Sequence, residues 1–454
     1  MVAATLRYLV AAFCLIAAGC SSSAGDAVQT DSSLLTATTS TGADPSTDPG
    51  NQIEGGDSQP AASVTAEAAP GQEYAGEVNT FFVSTQGDNA NPGTFDSPWR
   101  TLPFAVTSAP PGATVVALPG DFTEAHNGEA IVVNRRESVE DPFELIGIDQ
   151  PLITSGGDIS GIRVVDSENI IIDGFRLRGE PGSRHGTGIF ITDFSHDVTV
   201  RNTHVSDFGG SGIGVDFGDR IIVEDNWIEN NNFGSKFQTS GLSSFRAQPV
   251  GDDNWMRFSR NIVIGNFNEV PSDAGVITDG NCIIIDLHND TNYFGRVTID
   301  SNLCVENGGR GIHVFHSSNV VATNNTLIAN VWSAGLEGAG ELSANDSTDV
   351  VFANNLVLPT DAVPPLALVR TGVIVVEGNF VAGPDGADGF TRVEVADLGF
   401  GDPSCDLPYR YAPTLTSPVV AQSIGAFEAF DLRGIPRTDS ADVGAIEATA
   451  DQLC

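Results

Sequence analysis

Lysine is almost missing from this chain: Lys236 is the only one in 454 residues. Lysine and arginine together number 21 against 59 aspartates and glutamates, a formal charge of −38. Without a basic footprint there is little to set against phosphate, which excludes nucleic acid as a partner. Such acidity suits a strongly hydrated surface, and clustered carboxylates can also capture a hard cation, calcium above all. No Walker loop, dinucleotide fingerprint, serine elbow or zinc-ligand spacing occurs, so the sequence gives no sign of those chemistries. The apolar stretch "YLVAAFCLIAAGC" after Arg7 is too short to span a bilayer as a mature helix and has the order of a signal peptide. Cysteine is scarce, with six residues. Cys14 and Cys20 belong to the leader. Cys282 and Cys304 fall inside strand repeats and read as small core residues. Cys405 and Cys454 flank the C-terminal segment and, in an exported protein, could pair or stay free.

Residues 1–19 read as the leader. Its end, "IAAGC", resembles the lipobox of bacterial lipoproteins, with Ala17 where Leu is commoner; the resemblance implies lipidation of Cys20. The alternative is an ordinary secretory signal. Both export the protein, to an extracellular or envelope location, and lipidation would make Cys20 its only membrane contact. Residues 20–80 are Ser, Thr, Gly, Pro, Ala and acid, too poor in apolar surface to order themselves, and read as a tether.

What is abundant is a repeat. Eight times a β-branched run meets a bend residue and an apolar pair follows. The bends are Gly174, Asn202, Asn226, Asn266, Asn302, Asn325, Asn355 and Asn379, at steps of 23 to 40 residues. Glycine and asparagine enter the left-handed region at little cost, and stacked asparagines can hydrogen-bond along a ladder. Steps of this size mark stacked repeats. A second series opens with a small residue: "GIRVVDS", "GIFITDF", "GIGVDFG", "GLSSFRA", "CIIIDLH", "GIHVFHS" and "ELSANDS", at Gly161, Gly188, Gly212, Gly241, Cys282, Gly311 and Glu341. Period-two alternation points their second and fourth residues inward and their third and fifth outward. The expected fold is all-β, a parallel β-helix over residues 81–450, monomeric, with a short capping helix around residues 99–108 near Pro98.

The segment "FFVSTQGDNANPGTFDSPWRTLPFAVTSAPPGATVVALPGDFTE" resembles the N-terminal entry of exported right-handed parallel β-helix proteins, polysaccharide lyases of the pectate and alginate type among them. "DLRGIPR…DVGAIE" is similar to the closing segment of the same class. The resemblance implies the right-handed form of the coil and a carbohydrate-active protein whose substrate is a polysaccharide, a uronate-containing one for a lyase.

Insertions "NNFGSKFQTS", "AQPVGDDNWMRF" and "NEVPSDAGVITDGN" flank the first-strand face, and long loops on a rigid scaffold are where function gathers. Outward residues there include Asp216, Ser243, Asp286 and His313, with Arg246, His288 and His316 just past the strands. The lyase resemblance implies Lys236 or Arg246 as the base that removes the proton α to a uronate carboxyl. Arg310 would clamp that carboxyl. Asp286 and His288 form an Asp-x-His that resembles the motif of β-helix alginate epimerases, with Leu287 where proline is usual. Asp216, Asp279 and Asp286 are the candidate calcium ligands, with Asp290 near them. Trp255 and His316 are candidate substrate contacts, and Trp227, Phe237 and Phe245 offer further stacking faces. Each of these residues also has a plain structural reading: a solvated lysine, a surface histidine, a structural ion pair, a packed aromatic. Two rivals to the lyase stand. One is a glycoside hydrolase using Asp216 and Asp286 as its carboxylate pair. The other is a non-catalytic glycan-binding surface protein, which the negative charge favours over turnover of a polyanion.

Overall fold

A computed structural model describes residues 69–123, 131–180, 182–336, 338–383, 386–401, 404–425, 429–438 and 440–448. The expected leader, Cys20, the expected tether up to residue 68, and Cys454 lie outside the described residues. The chain divides between Glu67 and Ala68, and every described residue belongs to the second unit. The tether ends earlier than residue 80. Gln72–Tyr74 forms a 3-10 turn, and a Cβ added to Gly71 would meet Leu118 Cδ2 at 2.6 Å, so the backbone is already packed there. Among the described residues no helix is long and apolar enough to cross a membrane.

The expected winding is present. Among the described residues, strands form three sheets of eleven, ten and nine members. Each strand pairs in parallel with its equivalent one turn away, as in Val198↔Ile221, Val205↔Ile228 and Ile213↔Leu242. All seven openings begin strands of the nine-stranded sheet, from Ile162–Val165 to Leu342–Asn345. The helix is shorter than expected, Leu102–Ser108, with proline (Pro103, not Pro98) in its first turn and Leu102, Ala105 and Val106 buried. Trp99 precedes it and stacks on Phe81, ring centroids 4.8 Å apart. "WMRF" is not loop: Trp255–Ser259 is a strand of the eleven-stranded sheet.

The openings are small because the interior is full. A Cβ on Gly188 would lie 2.1 Å from Val205 Cγ1, and one on Gly212 would lie 2.4 Å from Ile228 Cγ2. Two turns depart from this pairing of glycine with an aliphatic, and in one of them Glu341 takes the glycine slot. In the other, Cys282 takes the glycine slot, and Cys304 takes the aliphatic slot, stacked between Val263 and Leu327. The two are disulfide-bonded across the interior, Cα–Cα 5.6 Å. They are buried as expected, but they are a covalent pair rather than two separate core residues.

Two asparagine ladders hold two corners, where the sequence pattern suggested one. In the first, each side-chain amide donates to the next: Asn226 to Asn261, Asn261 to Asn302 and Asn302 to Asn325, all at 3.0 Å. Asn325 to Asn355 and Asn355 to Asn379 follow at 2.9 Å. The acceptor oxygen also takes the previous asparagine's backbone N–H, and the second amide proton goes to a carbonyl such as Phe258 O. The second ladder runs Asn231, Asn266, Asn307, Asn330 and ends on Glu341, whose carboxylate accepts from Asn330 N and Nδ2 at 2.8 and 2.7 Å. Asn266 thus belongs to a different corner from Asn226 and Asn302, and Asn261 is their true equivalent. The left-handed residue usually sits one place before the ladder asparagine: Asp225, Arg260, Ser301, Asn324 and Asn354 have φ of 53° to 59°. Gly174 and Asn202 are themselves left-handed.

From Ile262 onward the outer face of the ten-stranded sheet is apolar, whereas its earlier strands present Arg176, Arg178, His204 and Glu229. Ile262, Leu303, Val305, Leu356 and Leu358 cluster there with Leu398, Val419, Val443 and Ile446 of the C-terminal segment. Arg437 donates to Ser301 Oγ at 3.2 Å and Ala445 N to Thr326 Oγ1 at 2.9 Å, tying that segment down. Over these turns one flank of the coil is therefore closed, and the other two sheets carry the remaining outward columns.

Asn302→Ala should destabilise the fold by about 3–5 kcal/mol in urea denaturation, because it leaves the buried donors of Asn261 without an acceptor. Burial pushes the Glu341 carboxyl up to about 7. The folded state then holds a proton that the unfolded chain releases above its usual value of 4.5. Stability should fall as pH rises from there to about 7. Glu341→Gln should remove this slope and be more stable than the parent at pH 8 by up to about 3 kcal/mol.

Candidate functional site

The nine-stranded sheet carries the expected acids, and its register makes them a column. Asp216, Phe245, Asp286, Phe315 and Asn345 are successive partners on five neighbouring strands. Strands in a sheet lie about 4.8 Å apart, so Asp216 and Asp286 stand roughly 9–10 Å apart along the axis with Phe245 between them. Beside this column run Gly214, Ser243, Ile284, His313 and Ser343.

Burial governs the electrostatics. Desolvation, then the charge of Asp279, pushes the Asp286 carboxyl up to about 8; Arg246 opposes, and Asp216 and Asp290 add to the rise. Burial, helped by Asp193, pushes Asp216 up to about 7. Asp286 is therefore a protonated acid at neutral pH and Asp216 a partly ionised one. Asp279 is raised by burial against the pull of Arg310, and accepts hydrogen bonds from Thr278 Oγ1 and Asn281 Nδ2, each at 2.8 Å.

The structure separates several other candidates from this column. Lys236 lies in an exposed loop, its Nζ 3.0 Å from Asp273 and 5.8 Å from the Phe237 ring. Arg246, by contrast, borders the column. Its guanidinium covers Phe245 at 5.1 Å and bonds Asp290 at 3.0 Å, and His316 approaches the same Asp290 at 3.2 Å. His288 points into the core, fully buried, with Nε2 3.0 Å from Ser244 Oγ and its ring against Tyr293; burial lowers it to about 3. It occupies the corner position filled by Ser317 one turn on, which hydrogen-bonds its backbone N–H. It has no face toward a ligand and is corrected to a core residue. His313 is 5% exposed and sits 3.9 Å from Asp279. Burial, and then Arg310, holds its pKa well below the ordinary range. Arg310 is buried too and donates to Thr278 O at 2.8 Å, so its guanidinium braces the loop that carries Asp279. Trp255 lies on the eleven-stranded sheet, in register with Arg296, and not on this face.

Asp216, Asp279 and Asp286 do not fit one calcium ion. An aromatic side chain stands between two of them, and the third is held by its own loop. Among the described residues, the donor atoms that converge within 4.8 Å are those of Glu168, His196 and Asp197. There Arg220 already supplies the positive charge, 2.7 Å from Asp197 and 3.0 Å from His196 Nδ1.

Phe315 and Asp193 were not singled out from sequence. Phe315 could have been: it is the fifth residue of "GIHVFHS", as Phe245 is of "GLSSFRA". Asp193 reaches Asp216 electrostatically from the turn below, which no local pattern encodes.

A family model described as "Right handed beta helix region" matches residues 148–294. The fold is a right-handed parallel β-helix. Among solved structures, pectate lyase Pel9A aligns over 82% of this chain and 96% of its own at 15% identity and TM-score 0.48. A rhamnogalacturonan lyase aligns over 70% and 90% at 16% identity and TM-score 0.44. A lacto-N-biosidase from Eubacterium ramulus aligns over 65% and 67% at 12% identity and TM-score 0.41. At these identities the likeness is one of fold. No curated protein matches the chain.

Lys236 sits in an exposed pair, and such pairs contribute little. Lys236→Ala should leave the unfolding free energy within about 0.5 kcal/mol of the parent, measured by denaturant titration.

Proposed function

We propose that this protein hydrolyses a polysaccharide laid along the nine-stranded face, with Asp286 as proton donor and Asp216 as the opposing carboxylate. The observation that carries this reading is the column itself: two half-buried carboxyls in register, two strands apart, flanking an aromatic ring. A glycosidic bond needs an acid that is still protonated at working pH and a second carboxylate across from it. The separation of roughly 9–10 Å is near the upper end of the 6.5–9.5 Å or so that leaves room for a water and inverts the anomeric centre. Phe315 supplies a face against which a sugar ring packs. A groove rich in carboxyls favours a neutral glycan over a polyuronate.

A second reading is β-elimination on an acidic glycan, favoured by one observation. Arg246 lies on the same face and is an electrostatic partner of Asp286. Export, with Cys20 as a lipid anchor, belongs to the proposal under either chemistry. The Cys282–Cys304 disulfide supports it, since such bonds persist in oxidising compartments.

The test is incubation with a panel of neutral and uronate-containing polysaccharides, scoring new reducing ends and unsaturated-product absorbance separately. Reducing ends without unsaturated products are expected. Asp286→Asn should lower the rate by about 10²–10⁴-fold, and activity should fall as pH rises through about 8, where Asp286 loses its proton. Unsaturated products that vanish in Arg246→Ala but persist in Asp286→Asn would overturn hydrolysis in favour of elimination.

A further inference from the structure

The eleven-stranded sheet carries a groove that the acid column does not use. Its floor is a cavity of about 280 Å³ formed by outward residues of three neighbouring strands, with Trp255 beside Arg296 and Ile222, Arg257 and Thr298 in the adjoining column. A second cavity, about 420 Å³, adjoins it and shares Arg296 as a wall. Asp252, Asp253, Asn254, Asn292 and Phe294 line that one.

Three features suit this groove to a ligand. First, it has unused binding groups. Trp255 is half-buried, and among the described residues its indole N–H makes no hydrogen bond. The exposed Arg296 guanidinium has no carboxylate partner there, in a chain with a large excess of acid. Phe294 is 59% exposed. Second, the walls are held in place. A Cβ on Gly295 would lie 2.5 Å from Asn254 O, so the two wall loops touch backbone to backbone. The buried Asp219 accepts from Tyr293 Oη at 2.8 Å and from Val250 N at 2.9 Å, anchoring one loop through each. Asn254 Oδ1 accepts from Val250 N as well, at 2.9 Å. A site built this way loses little freedom on binding. Third, the chemistry is mixed: an indole face, a guanidinium, side-chain amides and free carboxylates. An anion would meet Asp252 and Asp253, a cation would meet Arg296, and an apolar ligand would leave all of these unpaired. A neutral sugar uses each of them, with C–H faces on the aromatic rings and hydroxyls that both donate and accept.

We infer that Trp255, Arg296 and Phe294 form a second glycan-binding site, on a different flank from Asp216 and Asp286, that holds a neutral polysaccharide without cleaving it. The inference takes its ligand class from the proposed function but does not need its chemistry. Two sites on two flanks of one rod would hold a long polymer near the acid column while leaving short fragments unaffected.

The test uses the full chain carrying Asp286→Asn, so that binding is read without turnover. The probes are hexasaccharides of β-glucan, xylan, mannan and chitin, followed by tryptophan fluorescence and by retention on the matching immobilised polymers. Expected is saturable binding to at least one probe, weakened tenfold or more by Trp255→Ala and by Arg296→Ala. The surface variant Arg296→Ala should melt as the parent does and guards against a folding defect in the other. If the parent binds no probe, or if both variants bind as the parent does, the inference is wrong. Binding without any hydrolysis by the native chain would leave this site standing and remove the catalytic reading alone. In a chain that does hydrolyse, Trp255→Ala should slow long polymer and spare the hexasaccharide.

Discussion

A side-chain amide that is donor and acceptor at once, buried at a corner, is the interaction on which this molecule depends. An asparagine in the ladder binds the turn on either side of it, and its carbonyl closes the backbone N–H that the bend leaves open. Two such columns fix the translation from one coil to the next at two corners of the three-sided section. Parallel strands by themselves tolerate slippage where pairing is repetitive. The amides do not, because a slip by one residue would leave a run of buried polar atoms unpaired. Register in turn makes columns of outward residues, and the candidate site is one such column.

The three flanks have different fates. The C-terminal segment covers the later strands of the ten-stranded sheet, whose outer face is apolar from Ile262 onward and would otherwise be exposed. The nine-stranded sheet turns carboxyls and aromatic rings outward in alternation. The eleven-stranded sheet offers an indole and guanidinium groups. The covered part of the third flank thus serves stability, while the other two sheets keep their polar columns open.

Much of the winding was legible in the sequence, because period-two alternation recurs seven times and a small residue opens six of those runs. The division into two ladders was not. Asn261 follows Arg260 rather than a run that ends in asparagine, and Asn266 imitates its neighbours in sequence while stacking at another corner. Such a distinction appears only when the insertions are placed in space. The same holds for the site. Asp216 and Asp286 were visible as outward positions, since that follows from local alternation. That Lys236 pairs with Asp273, that His288 turns inward to fill a corner slot, and that Trp255 belongs to a different flank all depend on how long loops return to the coil. Burial rather than residue type decides which acids stay protonated, and burial is a property of neighbouring turns.

Cys282 and Cys304 open and close a single turn that contributes one strand to each sheet: Ile283–Asp286, Arg296–Asp300 and Leu303–Val305. The bond makes that turn a closed hoop. A solenoid is held by nearest neighbours and can fray from its tips. Fraying that begins at either tip must stop at a loop of chain that cannot be pulled open, and the hoop lies beside the turn that carries Phe245 and itself bears Asp286. Under tension along the rod, this part of the groove would be the last to lose its shape.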